Sequence, residues 1–219
     1  MPSAKPIDET AICDVLSAPR ADTYINVVGG DKAKALELYG WNARIAAAFM
    51  LPSHFAEVAI RNAASEAITS LYGPSWPWDT TFTTSLNNPS GRTYNPHKDL
   101  VSVRGTQLTT GKVIAELKFA FWQSMFTSRH QVRIWDHQIR TLLPNASGMT
   151  SKQLRQRVYD DLEVIRKLRN RIAHHEPIFA RNLGDDLMRI LELIELRSTA
   201  TIDWVLAMED ASAILAERP

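Results

Sequence analysis

Between Arg166 and His175 the chain places three arginines, two histidines and an asparagine in ten positions, within the run Arg-Lys-Leu-Arg-Asn-Arg-Ile-Ala-His-His-Glu-Pro-Ile-Phe that ends at Phe179. Histidine, with an ordinary pKa of ~6.5, can take up and release a proton near neutral pH. A forked, permanently charged guanidinium is matched to anionic oxygens in a way that a lysine ammonium is not. The same residues also have structural readings. Arg169 falls within an apolar stripe, where it must reach solvent or find an anionic partner, and an ion pair with Glu57 would satisfy it. An imidazole near a helix C-terminus is favoured by the macrodipole whatever its role. His174, His175 and Glu176 invite a metal reading, but there is no His-Glu-x-x-His spacing, and adjacent helical residues point about 100° apart. No metal or other cofactor is therefore expected. His130 and His137, seven apart, are expected to border the basic surface or the solvent.

The element that must carry this cluster is a helix over about 151–175, capped by Thr150 or Ser151. Its Leu154, Val158, Leu162, Ile165, Leu168 and Ile172 are spaced by 4, 4, 3, 3 and 4, which makes one core-facing stripe. Helical periodicity extends through nearly the whole chain, so the expected class is all-α. After a short N-terminal helix, Pro19 and Gly29-Gly30 punctuate an extension over residues 1–30, and the main helical domain covers 31–219. Asp31 caps a helix running towards Phe49. Pro52 is read as the start of a second helix over 53–72, stopped by Gly73-Pro74. Residues 73–110 are so dense in turn formers that they read as a long irregular insertion, able to cover a groove or simply to lie on the surface. Further helices are expected over about 112–127, 130–143, 184–197 and 200–216.

Composition places the chain among globular proteins, with 45% hydrophobic and 22% charged residues in 219. The N-terminus MPSAKPIDET lacks an apolar leader segment, and stretches such as Ile45 to Leu51 fall short of the ~20 residues of a membrane span. A cytoplasmic location with no membrane partner is the expectation. The lone Cys13 reads as a small core residue. The net charge of +1 conceals an asymmetry. Residues 129–181 carry 11 Lys and Arg against 5 Asp and Glu, whereas 182–219 carry 3 against 8. The basic segment is either a polyanion-binding surface or a solvated helix face.

Arg169-Asn170-Arg171-Ile172-Ala173-His174 fits the Arg-x4-His signature of HEPN ribonucleases. Three blocks, in order, resemble the Abi-like (abortive infection) branch: Glu57-Val58-Ala59-Ile60-Arg61-Asn62, Gly111-Lys112-Val113 to Phe121-Trp122, and Leu168 to Phe179. Together they span about residues 31–205. Arg61-Asn62 repeats the Arg-Asn pair but has Glu66 where the histidine would fall, so only the second copy can be catalytic. The resemblance implies an Abi-like HEPN helical bundle over 31–219 and a metal-independent endoribonuclease of phage defence or toxin type. In it, a base takes the 2′-hydroxyl proton, the oxygen attacks the adjacent phosphorus, and a 2′,3′-cyclic phosphate remains. Arg169 and His174 are the implied catalytic pair, with Asn170 supporting and His175 as the alternative histidine. Arg166, Lys167, Arg171, Arg155 and Arg157 would contact RNA phosphates, as would Lys152. Trp76 or Trp78 is a candidate to stack on a base, although packing is the commoner use. Five residues of ideal helix turn through about 500°, so Arg169 and His174 diverge by about 140°. The family's answer is a homodimer whose two motifs face each other. Other implied partners are an antitoxin or an activating phage component. A HEPN module that binds nucleic acid or a partner without catalysis is the competing reading.

Overall fold

Apolar residues recurring at three and four give helix nearly everywhere, as expected. The computed structural model describes residues 7–219, and among these it contains twelve α-helices and no strand. The N-terminal extension forms α1 (Glu9–Leu16) and α2 (Ala18–Ile25); its residues 1–6 lie outside the described ones. The axis of the fold is α3 (Lys32–Tyr72), capped by Asp31, whose carboxylate accepts from the Lys34 amide at 3.1 Å.

The break expected at Pro52 does not occur, because α3 runs through it. Proline inside a helix removes one hydrogen bond and costs about 3 kcal/mol. Against that, Ile45, Phe49, Ala56, Ile60, Ala63 and Ala67 form one buried stripe across the proline, and each large apolar side chain buried contributes about 1.5–3 kcal/mol. Only a continuous helix keeps both halves of the stripe on one core. An 18-residue window of α3 is apolar enough to cross a membrane by composition, which the shorter stretches considered from sequence did not suggest. In this fold its apolar face packs against α9 (Ser151–Ala173), α10 (Leu183–Arg197) and their neighbours.

The 73–110 stretch is more ordered than its turn formers suggest. It contains a 3-10 turn at Trp76–Trp78, α4 (Thr80–Ser85) and α5 (Pro96–Arg104). Trp76 is fully buried, edge-on to Phe82 at 5.2 Å and stacked with Phe121 at 6.4 Å, whereas Trp78 remains 40% exposed. Arg104 donates to the Pro77 carbonyl and to Thr83 Oγ1, both at 2.8 Å, pinning the segment to itself. The expected 112–127 and 130–143 helices are divided into α6 (Thr110–Glu116), α7 (Phe119–Met125) and α8 (Asp136–Leu142), with 3-10 and π turns over Ser128–Trp135. His130 is buried in those turns, not at the basic surface, and burial lowers its pKa to about 4, helped by Arg133 and Arg129. The acidic C-terminal segment forms α10, α11 (Thr199–Leu206) and α12 (Ala211–Ala216).

Candidate functional site

Helix α9 begins on a reciprocal cap. Thr150 Oγ1 accepts from the Gln153 amide at 3.2 Å, and Gln153 Oε1 accepts from the Thr150 amide at 2.9 Å. The predicted stripe is buried from Leu154 to Leu168, with Ile172 partly so. The helix closes at Ala173, two residues short of the expected end. The His175 amide bonds the Ile172 carbonyl at 3.0 Å and the Glu176 amide bonds the Arg171 carbonyl at 2.8 Å, the paired pattern of a Schellman terminus. That motif requires a left-handed residue, usually glycine, and here it is His175 at φ +54°. Side-chain contacts, both local and from α2 and α3, hold the turn. Arg20 Nη1 donates to the His175 carbonyl at 2.6 Å, Arg171 Nη2 donates to the Pro177 carbonyl at 2.7 Å, and Asn42 Oδ1 accepts from the Ile178 and Phe179 amides at 2.8 and 3.0 Å.

Arg169 does have the partner its position in the stripe called for. Its Nη1 lies 2.7 Å from Glu57 Oε2, and its guanidinium sits 5.4 Å from the centre of the Phe119 ring. The pair is half-open to solvent, with side-chain exposures of 30% for Arg169 and 19% for Glu57. One turn further along α3, the buried Nε of Arg61 has no hydrogen-bond partner, so a second cation adjoins the same carboxylate-bearing face. His174 caps α9 and is exposed; among the described residues its ring makes no hydrogen bond or ion pair. Asn170 is exposed as well. No hydrogen bond or ion pair joins Arg169 to His174. The arginine leans towards α3 and α7, and the histidine lies past the end of the helix.

The basic segment is less available than its charge count implies. Arg155 is 3% exposed and spends its guanidinium on the Phe126 carbonyl, Gln131 Oε1 at 2.6 Å and Gln156 Oε1 at 2.9 Å, so it braces α9 against the turn after α7 instead of meeting a phosphate. Arg157 pairs with Glu192 and, at 3.5 Å, with Asp161. Arg166 and Lys167 share Glu163 at 2.9 and 3.2 Å, although Lys167 stays 61% exposed, and Arg171 lies 3.4 Å from Glu176. Lys152 is exposed. Asp161 is buried between Arg157 and Arg189, its pKa raised by burial against the pull of both arginines.

Asn42 and Arg20, which clamp the end of α9, were not picked out from the sequence. Their partners lie 136 and 155 residues away, and no local pattern announces them. Among the described residues no group of three or more His, Cys, Asp or Glu side chains is arranged to hold a metal ion. Compared with family models, with curated proteins and with solved structures, the chain matches none. The HEPN resemblance thus rests on the three sequence blocks alone, and the structure shows the all-α class without bearing on the family.

Proposed function

We propose that this chain is a cytoplasmic, metal-independent endoribonuclease with an Abi-like HEPN domain over 31–219, acting in phage defence or as a toxin. The observation that carries the reading is the state of His174: an exposed imidazole, with no hydrogen bond or ion pair among the described residues, at the end of the helix that also carries Arg169. Its ring is thus free to meet a substrate, whereas a histidine bracing the turn through a side-chain bond would not be. In the reaction His174 takes the 2′-hydroxyl proton, a bond forms between O2′ and phosphorus, and the bond from phosphorus to O5′ breaks. Arg169 neutralises the charge growing on the non-bridging oxygens. Because the two side chains diverge, the working unit is a homodimer in which the partner's His174 protonates the leaving O5′. Asn170, one turn from His174, makes no bond to its ring in the free chain and would orient it only once RNA and the second chain are in place. Lys152, Arg166, Lys167 and Arg171 supply phosphate contacts, and an antitoxin or phage component would control the site.

A second reading, a HEPN module that binds nucleic acid or a partner without catalysis, is favoured by the Arg169–Glu57 pair, which already neutralises the arginine. Labelled RNA incubated in EDTA separates the two. Cleavage to 2′,3′-cyclic phosphate ends is expected, and His174→Ala or Arg169→Ala should each lower the rate by about 10²-fold or more, with His175→Ala much milder. Excess double-mutant chains, once subunit exchange is confirmed, should depress activity beyond dilution. Cleavage that EDTA abolishes and Mg²⁺ restores would overturn the mechanism. Salt-dependent RNA binding without cleavage would leave the binding module.

A further inference from the structure

Behind His175 lies an open pocket of about 510 Å³, lined by residues of α1, α2, α3 and the turn after α9. Its wall has two chemistries. One part is apolar, built from Ala43, Ala46, Ala47 and Ile172, with the partly exposed Tyr39 ring beside them. The other part is made of donors that the fold does not use. Arg20 and Tyr24, four apart on α2, share a face. Arg20 spends one nitrogen on the His175 carbonyl and forms no ion pair among the described residues. The Tyr24 side chain is almost wholly buried, yet its hydroxyl makes no hydrogen bond there. Burial pushes its pKa up to about 12, with Tyr39 adding to the shift and Arg20 opposing it, so it remains a donor at neutral pH. Asn42 is 7% exposed and turns Oδ1 to the Ile178 and Phe179 amides; Nδ2 donates to nothing among the described residues and is the polar atom left at the wall.

Two donors without a partner among the described residues, beside a guanidinium and lining one space, describe a site for an acceptor-rich anion. The flat apolar wall adds a planar body to that description, and the volume lies within the ~300–1,000 Å³ range of small-molecule sites. We propose that the pocket is a nucleotide subsite, which receives the base of one RNA residue on the Ala43–Ala47 wall and its phosphate at Arg20, Tyr24 and Asn42. This rests on the ribonuclease reading for the identity of the strand. With His175 in the rim and His174 next to it, the subsite would hold the nucleotide adjoining the cleaved bond. Glu176, also in the rim and 3.4 Å from Arg171, is placed to accept from the sugar or base and not from the phosphate.

The test uses the full chain and needs no cleavage. Adenosine and uridine 5′-monophosphates and a 2′-O-methyl RNA trinucleotide, which cannot cleave itself, are titrated by calorimetry. Two variants are compared with the wild type. Asn42→Asp keeps the acceptor for the Ile178 and Phe179 amides but replaces the donor, and Ala47→Phe fills the pocket from an exposed position on α3. Each should weaken binding by about tenfold, the equivalent of about 1.4 kcal/mol, while the trinucleotide binds the wild type more tightly than either monophosphate. Should Asn42→Asp fail to fold, as judged by its melting curve, Ala47→Phe alone decides. Nucleotides that bind neither protein, or bind wild type and variants equally, overturn the subsite even if the enzyme cleaves RNA. A trinucleotide no tighter than a monophosphate, or displacement by equimolar inorganic phosphate, overturns the RNA-strand assignment. Nucleotide binding that the variants weaken, in a protein that cleaves no RNA, supports the subsite while refuting the ribonuclease reading.

Discussion

Glu57→Gln is the most direct probe of whether Arg169 is held for phosphate or held for the fold. At an effective dielectric of ~20, charges about 4 Å apart attract by about 4 kcal/mol, which an incoming phosphate must share or replace. The net value is smaller, because desolvation and side-chain ordering offset much of it. Exposed pairs contribute about 0–1 kcal/mol, while breaking a buried one costs about 3–5 kcal/mol. Side chains 30% and 19% exposed place this pair between those limits, at about 1–2 kcal/mol by the same scales. Neutralising Glu57 should therefore strengthen RNA binding by about tenfold, since 1.4 kcal/mol is one decade. Arg61, one turn further along α3 with its buried Nε unpartnered, reinforces the direction. Fluorescence anisotropy with a labelled single strand, in a His174→Ala background that spares the RNA, gives the affinity across a salt series. One additional phosphate contact should steepen the log–log slope by about 0.7. Unchanged or weaker binding would refute the argument and assign Glu57 and Arg169 to bracing α3 against α9, in which case urea unfolding should register the loss instead.

Two further outcomes follow from the same geometry. His130 is neutral and buried in the native state with its pKa lowered to about 4, so the unfolded chain, with an ordinary value of ~6.5, binds the proton first. Stability should hold above pH ~6.5 and fall by up to about 3 kcal/mol as pH drops towards 4; urea midpoints for wild type and His130→Gln should converge in that window, and parallel curves would refute it. His175→Gly should stabilise the fold by about 1 kcal/mol by relieving the left-handed backbone at φ +54°. A lower melting temperature for that variant would mean that the imidazole itself braces the turn.

What the sequence disclosed and what it concealed divide along the range of the interactions involved. The α9 stripe, its Thr150 cap and the all-helical class depend on spacings of three and four, and they are where the pattern puts them. Pro52 misled because a local rule was opposed by burial on both sides of it, which one helix alone does not reveal. Trp76 and the ordering of 73–110 depend on Phe82, Phe121 and Arg104, brought together only by the tertiary fold. Arg155 illustrates the limit of counting charge. By composition it belongs to the basic surface, yet it lies on the α7-facing side of α9, where carbonyl and amide oxygens consume it. Glu57 was legible as a partner for Arg169 because a charge within an apolar stripe demands one.

The divergence of Arg169 and His174 is a property of the helix that the fold sharpens instead of removing. Glu57 and Phe119 draw the guanidinium towards α3 and α7, and the Schellman turn, closed by Arg20 and Asn42, fixes His174 at the end of α9. With that turn clamped from two sides, swinging the histidine back along the helix would break bonds to both α2 and α3. A proton acceptor and a charge neutraliser must nonetheless meet at one phosphate for the proposed reaction to proceed. In the proposed homodimer a two-fold axis near the end of α9 would resolve the conflict, because it would leave each clamp intact and set one chain's His174 against the other's Arg169. On that proposal, the same clamp that keeps a single chain from assembling the pair would hold both halves rigid enough for two chains to do so.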